Sequence, residues 1–188
     1  MSNLDVFLIE GDSMLIESER LILRPITIDD AFDIYEYAKN ENVGKNAGFK
    51  PHESVEETKS IINGILKVNS LAIFLKEINR VIGVISLEEK LDKIYELGYS
   101  LGEAYWHKGY CFEACRALIK YAFNSLNAYE IDAGTFLDNY RSEKLLLNLG
   151  FKYVGIHEKD YLNYDNKYLD CKRFRLTKND YMEECLWK

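Results

Sequence analysis

The chain has 188 residues, of which 47% are hydrophobic and 29% charged, with two prolines and a formal net charge of −7. That size and mix exclude a disordered, fibrous or collagenous protein and fit one domain that buries about two thirds of its unfolded surface. The acidic balance excludes a protein that grips nucleic-acid backbone, which needs clustered Lys and Arg, and favours a basic or aminated partner.

No stretch approaches the roughly 20 apolar residues of a membrane span, and the first 21 residues carry acids where a secretory leader carries basic residues. Cys111, Cys115, Cys171 and Cys185 lack CxxC pairs and metal-ligand spacing. They read as reduced thiols of a cytoplasmic protein with no metal centre.

After an N-terminal extension over residues 1–16, residues 20–24 (RLILR) alternate as a short strand closed by Pro25. The run TIDD at 27–30 supplies a helix cap, followed by an apolar face of Ala31, Ile34, Tyr35 and Ala38. The polar stretch 40–52 reads as a loop. Ser54 and Glu57 make a capping box for a second helix with Ile61, Ile62, Ile65 and Leu66 on one face.

Strands are expected over 71–75, 81–87 and 95–101, joined by short polar turns. From Gly109 the period becomes helical: Glu113, Arg116, Lys120 and Asn124 form a polar stripe opposite Cys111, Ala114, Cys115, Leu118 and Ala122. Residues 130–136 alternate as a strand, Asn139 caps a helix to Leu149, and Gly150 stands where a left-handed cap belongs. A final strand pair, 151–157 and 172–176, is joined by a tyrosine-rich loop. The order describes a mixed α/β sheet with helices on its faces and a right-handed crossover from 95 to 136.

The stretch YWHKGYCFEA at 105–114 lies between a strand and the clearest helix of the chain. Its backbone amides and the positive end of the helix dipole converge on one spot, which suits an anion. A plain strand-to-helix turn that needs one glycine is the alternative, and the residues alone do not separate the two.

Four stretches taken together resemble the GNAT superfamily of N-acetyltransferases, in the branch of ribosomal-protein N-terminal acetyltransferases of the RimJ/RimL type. They are ESERLILRPI, ELGYSLGEAYWHKGYCFEACRALIKYAF, NYRSEKLLLNLGFKYVG and DCKRFRLTKND. The resemblance covers residues 17–181 and implies one GNAT domain: a mixed, mostly antiparallel central sheet with helices on both faces and a splayed central strand. It also implies acetyl-CoA as cosubstrate and direct transfer of acetyl to a primary amine.

Where the family has Trp-Gly-x-Gly-x-Ala, this chain has Trp106, His107, Lys108, Gly109, Tyr110 and Cys111. The resemblance places the coenzyme A pyrophosphate on these residues and Phe112. Since backbone amides make those contacts, His107 is compatible as long as it need not adopt a positive φ. Tyr99, Ser100 and Leu101 match the splayed strand that pairs with the pantetheine arm and polarises the thioester carbonyl.

Asn139 and Ser142 match Asn-x-x-Ser: Asn139 bonds the pantetheine amide and Ser142 stands near the sulfur. As a plain helix cap and first-turn serine they would look the same. The tyrosine acid of many relatives is replaced by Leu146. Glu96 stands where relatives place a carboxylate that takes the amine proton, with His52 or water as the other candidates and a strand-end glutamate as the plain alternative.

The expected acceptor is a protein N-terminal α-amine, with small amines such as polyamines, aminoglycosides or amino acids as the alternative. A coenzyme A-binding module without turnover is the competing class. No nucleic-acid or membrane partner is expected, and the C-terminal strands are the expected route to a homodimer.

Overall fold

A computed structural model describes residues 6–9, 13–66 and 70–183, with side chains over 14–64 and 70–182. The chain forms two compact units, Met1–Ser86 with Tyr99–Leu118, and Leu87–Gly98 with Ile119–Lys188. The chain crosses from one to the other within strands β5 (Arg80–Leu91) and β6 (Ile94–Leu101) and within helix α4 (Tyr110–Asn124).

In the first unit, β1 (Val6–Ile9), β2 (Ser13–Glu17), β3 (Leu21–Pro25), β4 (Ser70–Leu75) and β5 follow one another as antiparallel neighbours. The expected extension is therefore strand over its described part. Helices α1 (Ala31–Ala38), α2 (Glu41–Ala47) and α3 (Val55–Ile61) separate β3 from β4, and α3 runs on as a π-helical turn, Ile62–Leu66. Ile26, Ile34, Tyr37, Val43, Ile62, Val81 and Val84 bury together, with Phe49 and Trp106 packed against them.

Two local expectations change here. The stretch read as loop contains α2: Asn40 Oδ1 accepts from the amides of Asn42 (2.8 Å) and Val43 (3.4 Å), and Gly48 ends the helix at φ 85°. The Ser54 hydroxyl caps Glu57 N as expected (3.1 Å), but the Glu57 carboxylate bonds the Glu53 amide, so the box does not close on Ser54. Ile62 is buried, while the side chains of Ile65 and Leu66 lie outside the described residues.

In the second unit the strand order is β6, β7 (Glu130–Phe136), β9 (Tyr168–Thr177), β8 (Lys152–Leu162). β6 and β7 are parallel, joined through α4, and their ladder spans only Ile94↔Glu130 to Glu96↔Asp132. Within the second unit the residues of β6 paired with β7 end at Glu96.

Helix α5 (Tyr140–Asn148) follows β7, and Gly150 takes φ 86° after it. β8 and β9 extend well into the stretch read as a tyrosine-rich loop, and a short helix, α6 (Lys178–Glu183), was not signalled by the sequence. Among the described residues no helix is long and apolar enough to cross a membrane.

Candidate active site

Gly83 fixes the end of β6 in the first unit. A Cβ there would lie 2.3 Å from the Ser100 carbonyl oxygen and 3.1 Å from Leu101 Cα, so only glycine lets β5 approach this closely. The buried Tyr37 phenol bonds the Ser100 side chain and is pushed well above its ordinary range by burial. Gly102 N donates to Ile82 O (2.9 Å), and Trp106 Nε1 donates back to Leu101 O (2.8 Å). Ser100, Leu101 and Trp106 are thus tied together where β6 runs into the loop.

At the head of α4, His107 has φ 61° and Gly109 φ 80°. The condition set on His107 is not met: the histidine that replaces glycine takes the left-handed conformation, which a non-glycine residue accepts at a cost of roughly 1 kcal/mol. The first helical amide to find its backbone partner is Glu113 N, on Gly109 O at 3.0 Å. The amides of Tyr110, Cys111 and Phe112 are the orphan donors that every helix start leaves. Two left-handed residues with Lys108 between them, followed by such amides on a 15-residue helix, make a concave anion cradle.

A brace holds this loop, and the sequence did not reveal it. Glu113 accepts from Ser18 Oγ (2.7 Å), Arg20 N (2.7 Å) and Arg20 Nε (2.6 Å), and Arg20 Nη1 donates to Lys108 O (2.9 Å). The Arg20 guanidinium also lies 4.4 Å over the Tyr110 ring. Burial pushes the Glu113 carboxyl up, but these bonds outweigh it and hold it below the usual range. In the sequence, Glu113 was one of four members of a polar helical stripe, and Arg20 was part of a strand.

In the second unit, Arg173 of β9 lies across Gly134 of β7, whose missing Cβ would stand 3.3 Å from Arg173 Nη1. From there Arg173 donates to Glu96 and, through Nε, to Asp160. Lys90 pairs with the other Glu96 oxygen at 3.2 Å. Burial raises the Glu96 carboxyl, yet Arg173 and Lys90 carry it below the ordinary range. A carboxylate with both oxygens on cations is a poor proton acceptor, so this geometry works against the base role expected of Glu96.

Asn139 Oδ1 accepts from Ser142 N (3.1 Å), which starts α5, and Leu146 is fully buried as a core residue. Lys172 bonds Glu143 at 2.7 Å in the same first turn. Thr135, opposite Lys172 in the β7 to β9 ladder, carries a buried hydroxyl with no partner among the described residues. Such an orphan marks a place for a ligand group or a water.

The cradle of amides in the first unit fits the anionic end of a cosubstrate. A family model for the acetyltransferase (GNAT) domain matches residues 20–152. The chain is 32% identical over 172 residues to the uncharacterized N-acetyltransferase p20 of Bacillus licheniformis, covering 87% of this chain and 96% of that one. It is 29% identical over 182 residues to the ribosomal protein uS5-alanine N-acetyltransferase of Escherichia coli, covering 87% and 91%.

In fold it resembles the GNAT-family acetyltransferase of Bacillus anthracis, with TM-score 0.80, 24% identity, and coverage of 88% and 99%. The short parallel ladder of β6, the cradle at the head of α4 and the match over most of the chain agree: this protein belongs to the GNAT family of acetyl-CoA-dependent N-acetyltransferases.

Proposed function

We propose that this enzyme acetylates the α-amine of a protein N-terminus, of the ribosomal-protein type. The observation that carries the cosubstrate half is the cradle at His107 and Gly109, braced by Arg20 and Glu113. The acceptor half is supported by the named activity of the Escherichia coli relative and by the net charge of −7, which suits a cationic acceptor.

Bound acetyl-CoA supplies an acetyl group already activated as a thioester. On this reading the amides of His107, Lys108, Gly109, Tyr110, Cys111 and Phe112 hold the pyrophosphate, and Trp106 orders the entry to the loop. The backbone of Tyr99, Ser100 and Leu101 binds the pantetheine arm and polarises the acetyl carbonyl. Asn139 holds the pantetheine amide and Ser142 stabilises the departing sulfur. Glu96 acts as the counter-charge that fixes Arg173.

Isothermal titration with acetyl-CoA tests the first half, and absence of binding overturns it. Coenzyme A release is then measured with peptides starting in Ala or Ser, with spermidine and spermine, and with aminoglycosides. Peptide-dependent release supports the proposed acceptor; release only with polyamines or aminoglycosides replaces it with a small amine.

A further inference from the structure

We propose that His52 is a catalytic residue of this enzyme, the group that takes the proton from the incoming ammonium through Nε2. The inference rests on the acetyltransfer reading above. We assign the Thr58 hydroxyl hydrogen to Ser54 O, 3.0 Å away, which leaves Oγ1 to accept from His52 Nδ1 at 2.9 Å. On that assignment Nδ1 carries the ring proton and Nε2 keeps its lone pair.

His52 is only 8% exposed, its Nε2 has no partner among the described residues, and Nε2 is not among the sealed polar atoms. An imidazole locked on one side and open on the other is poised as a base. Burial lowers its pKa, against the opposing charge of Glu57 on α3, which keeps the ring neutral at pH 7. Lys50 and Glu53, its charged neighbours in sequence, pair with each other.

The layer that carries His52 is tied to the C-terminal end of β6 within the first unit. His52 N donates to Ala38 O (3.2 Å), next to Tyr37, whose phenol bonds Ser100. Asn40 and Asn42 both donate to Glu103, just past β6 (2.7 and 3.1 Å). The His52 ring stands 5.5 Å from Phe49, which packs in the same cluster as Trp106.

The step balances. A proton leaves the ammonium nitrogen for Nε2, giving imidazolium and a neutral amine. The nitrogen lone pair forms the C–N bond to the acetyl carbon, the C–S pair leaves with sulfur, and the second nitrogen proton ends on sulfur. The imidazolium returns its proton to water.

The test is His52→Asn, which keeps a donor at the Nδ1 position toward Thr58 and removes the base. With an Ala-starting peptide and with spermidine as probes, turnover falls about 10²-fold. The acetyl-CoA dissociation constant is unchanged, and added imidazole restores part of the rate. Thr58→Val, which frees the tautomer, falls between variant and wild type.

Nitrogen-15 NMR of the wild type, which needs no acceptor, shows protonated Nδ1 and bare Nε2 at pH 7.5. A protonated Nε2 at that pH, or wild-type turnover in His52→Asn, overturns the proposal. Absence of acetyl-CoA binding overturns instead the reading on which it rests.

Discussion

Glu113 in the first unit and Glu96 in the second are both half-buried, both bonded to an arginine, and both held below the ordinary carboxylate range. Glu113 accepts from a backbone amide and a serine hydroxyl as well as from Arg20, and Arg20 in turn grips Lys108 O; its charge sets the position of a loop. Glu96 meets only side-chain cations, and Arg173 shares itself with Asp160, so charge is balanced against charge on a sheet face. In both, the depressed carboxyl marks close cationic and hydrogen-bonding partners. His52 is the contrasting case, its Nδ1 on Thr58 and its pKa lowered by burial.

The largest effect expected lies outside both carboxylates, at the strand end the first unit protects. Gly83→Val drives a side chain into the Ser100 carbonyl, and kcat/KM falls by at least about 10²-fold, as misplacing a reacting carbonyl by about 1 Å does. Unchanged kinetics would show that the end of β6 does not position the thioester.

Next, Glu113→Gln and Arg173→Met separate the two regions. The first raises the acetyl-CoA dissociation constant about tenfold, or about 1.4 kcal/mol, because the loop loses its brace. The second leaves that constant alone and removes about 1.5 to 3 kcal/mol of stability, the usual worth of hydrogen bonds to charged groups. Calorimetry and denaturant unfolding on both variants decide; the reverse pattern would dissolve the distinction.

The second unit's ion network also has a pH signature. Because the folded Glu96 pKa is depressed, its contribution is fully present above the unfolded value of about 4.3 and is lost as pH falls through the folded one. Unfolding at pH 7 and pH 3.5 should show a smaller acid loss for Arg173→Met than for wild type.

A smaller change is expected from Ser142→Ala: turnover down about tenfold with acetyl-CoA affinity kept, read from kcat beside titration. A wild-type rate removes Ser142 from the machinery. The smallest is His107→Gly, which relieves the left-handed conformation and raises stability by about 0.5 to 1 kcal/mol, a few degrees in Tm. A loss of stability would mean that the imidazole itself holds the loop.

Much of the frame was legible. β7 matches its expected bounds because strict alternation buries Ile131, Ala133 and Thr135 on one face. α4 and α5 announced themselves through an apolar stripe and through the Asn139 cap with Gly150 behind it. α2 did not, since only Val43 and Gly44 of its seven residues are buried and its polar sequence carries no period. The outer halves of β8 and β9 were missed for a related reason: most of β8 is exposed on both faces, so nothing selects apolar residues at every second position.

For the site, the sequence by itself determined a strand, a loop with Gly109 and the clearest helix in that order, because caps, glycines and periodicity act over a few residues. The family resemblance put Glu96 and Ser142 forward, and residue type put His52 forward. What each can do was decided by tertiary structure alone. Arg20 and Glu113 meet across 93 positions, Arg173 and Glu96 across 77, and His52 Nδ1 meets the Thr58 hydroxyl at 2.9 Å. Protonation and pKa follow from partners brought together by folding, and no local pattern encodes those partners.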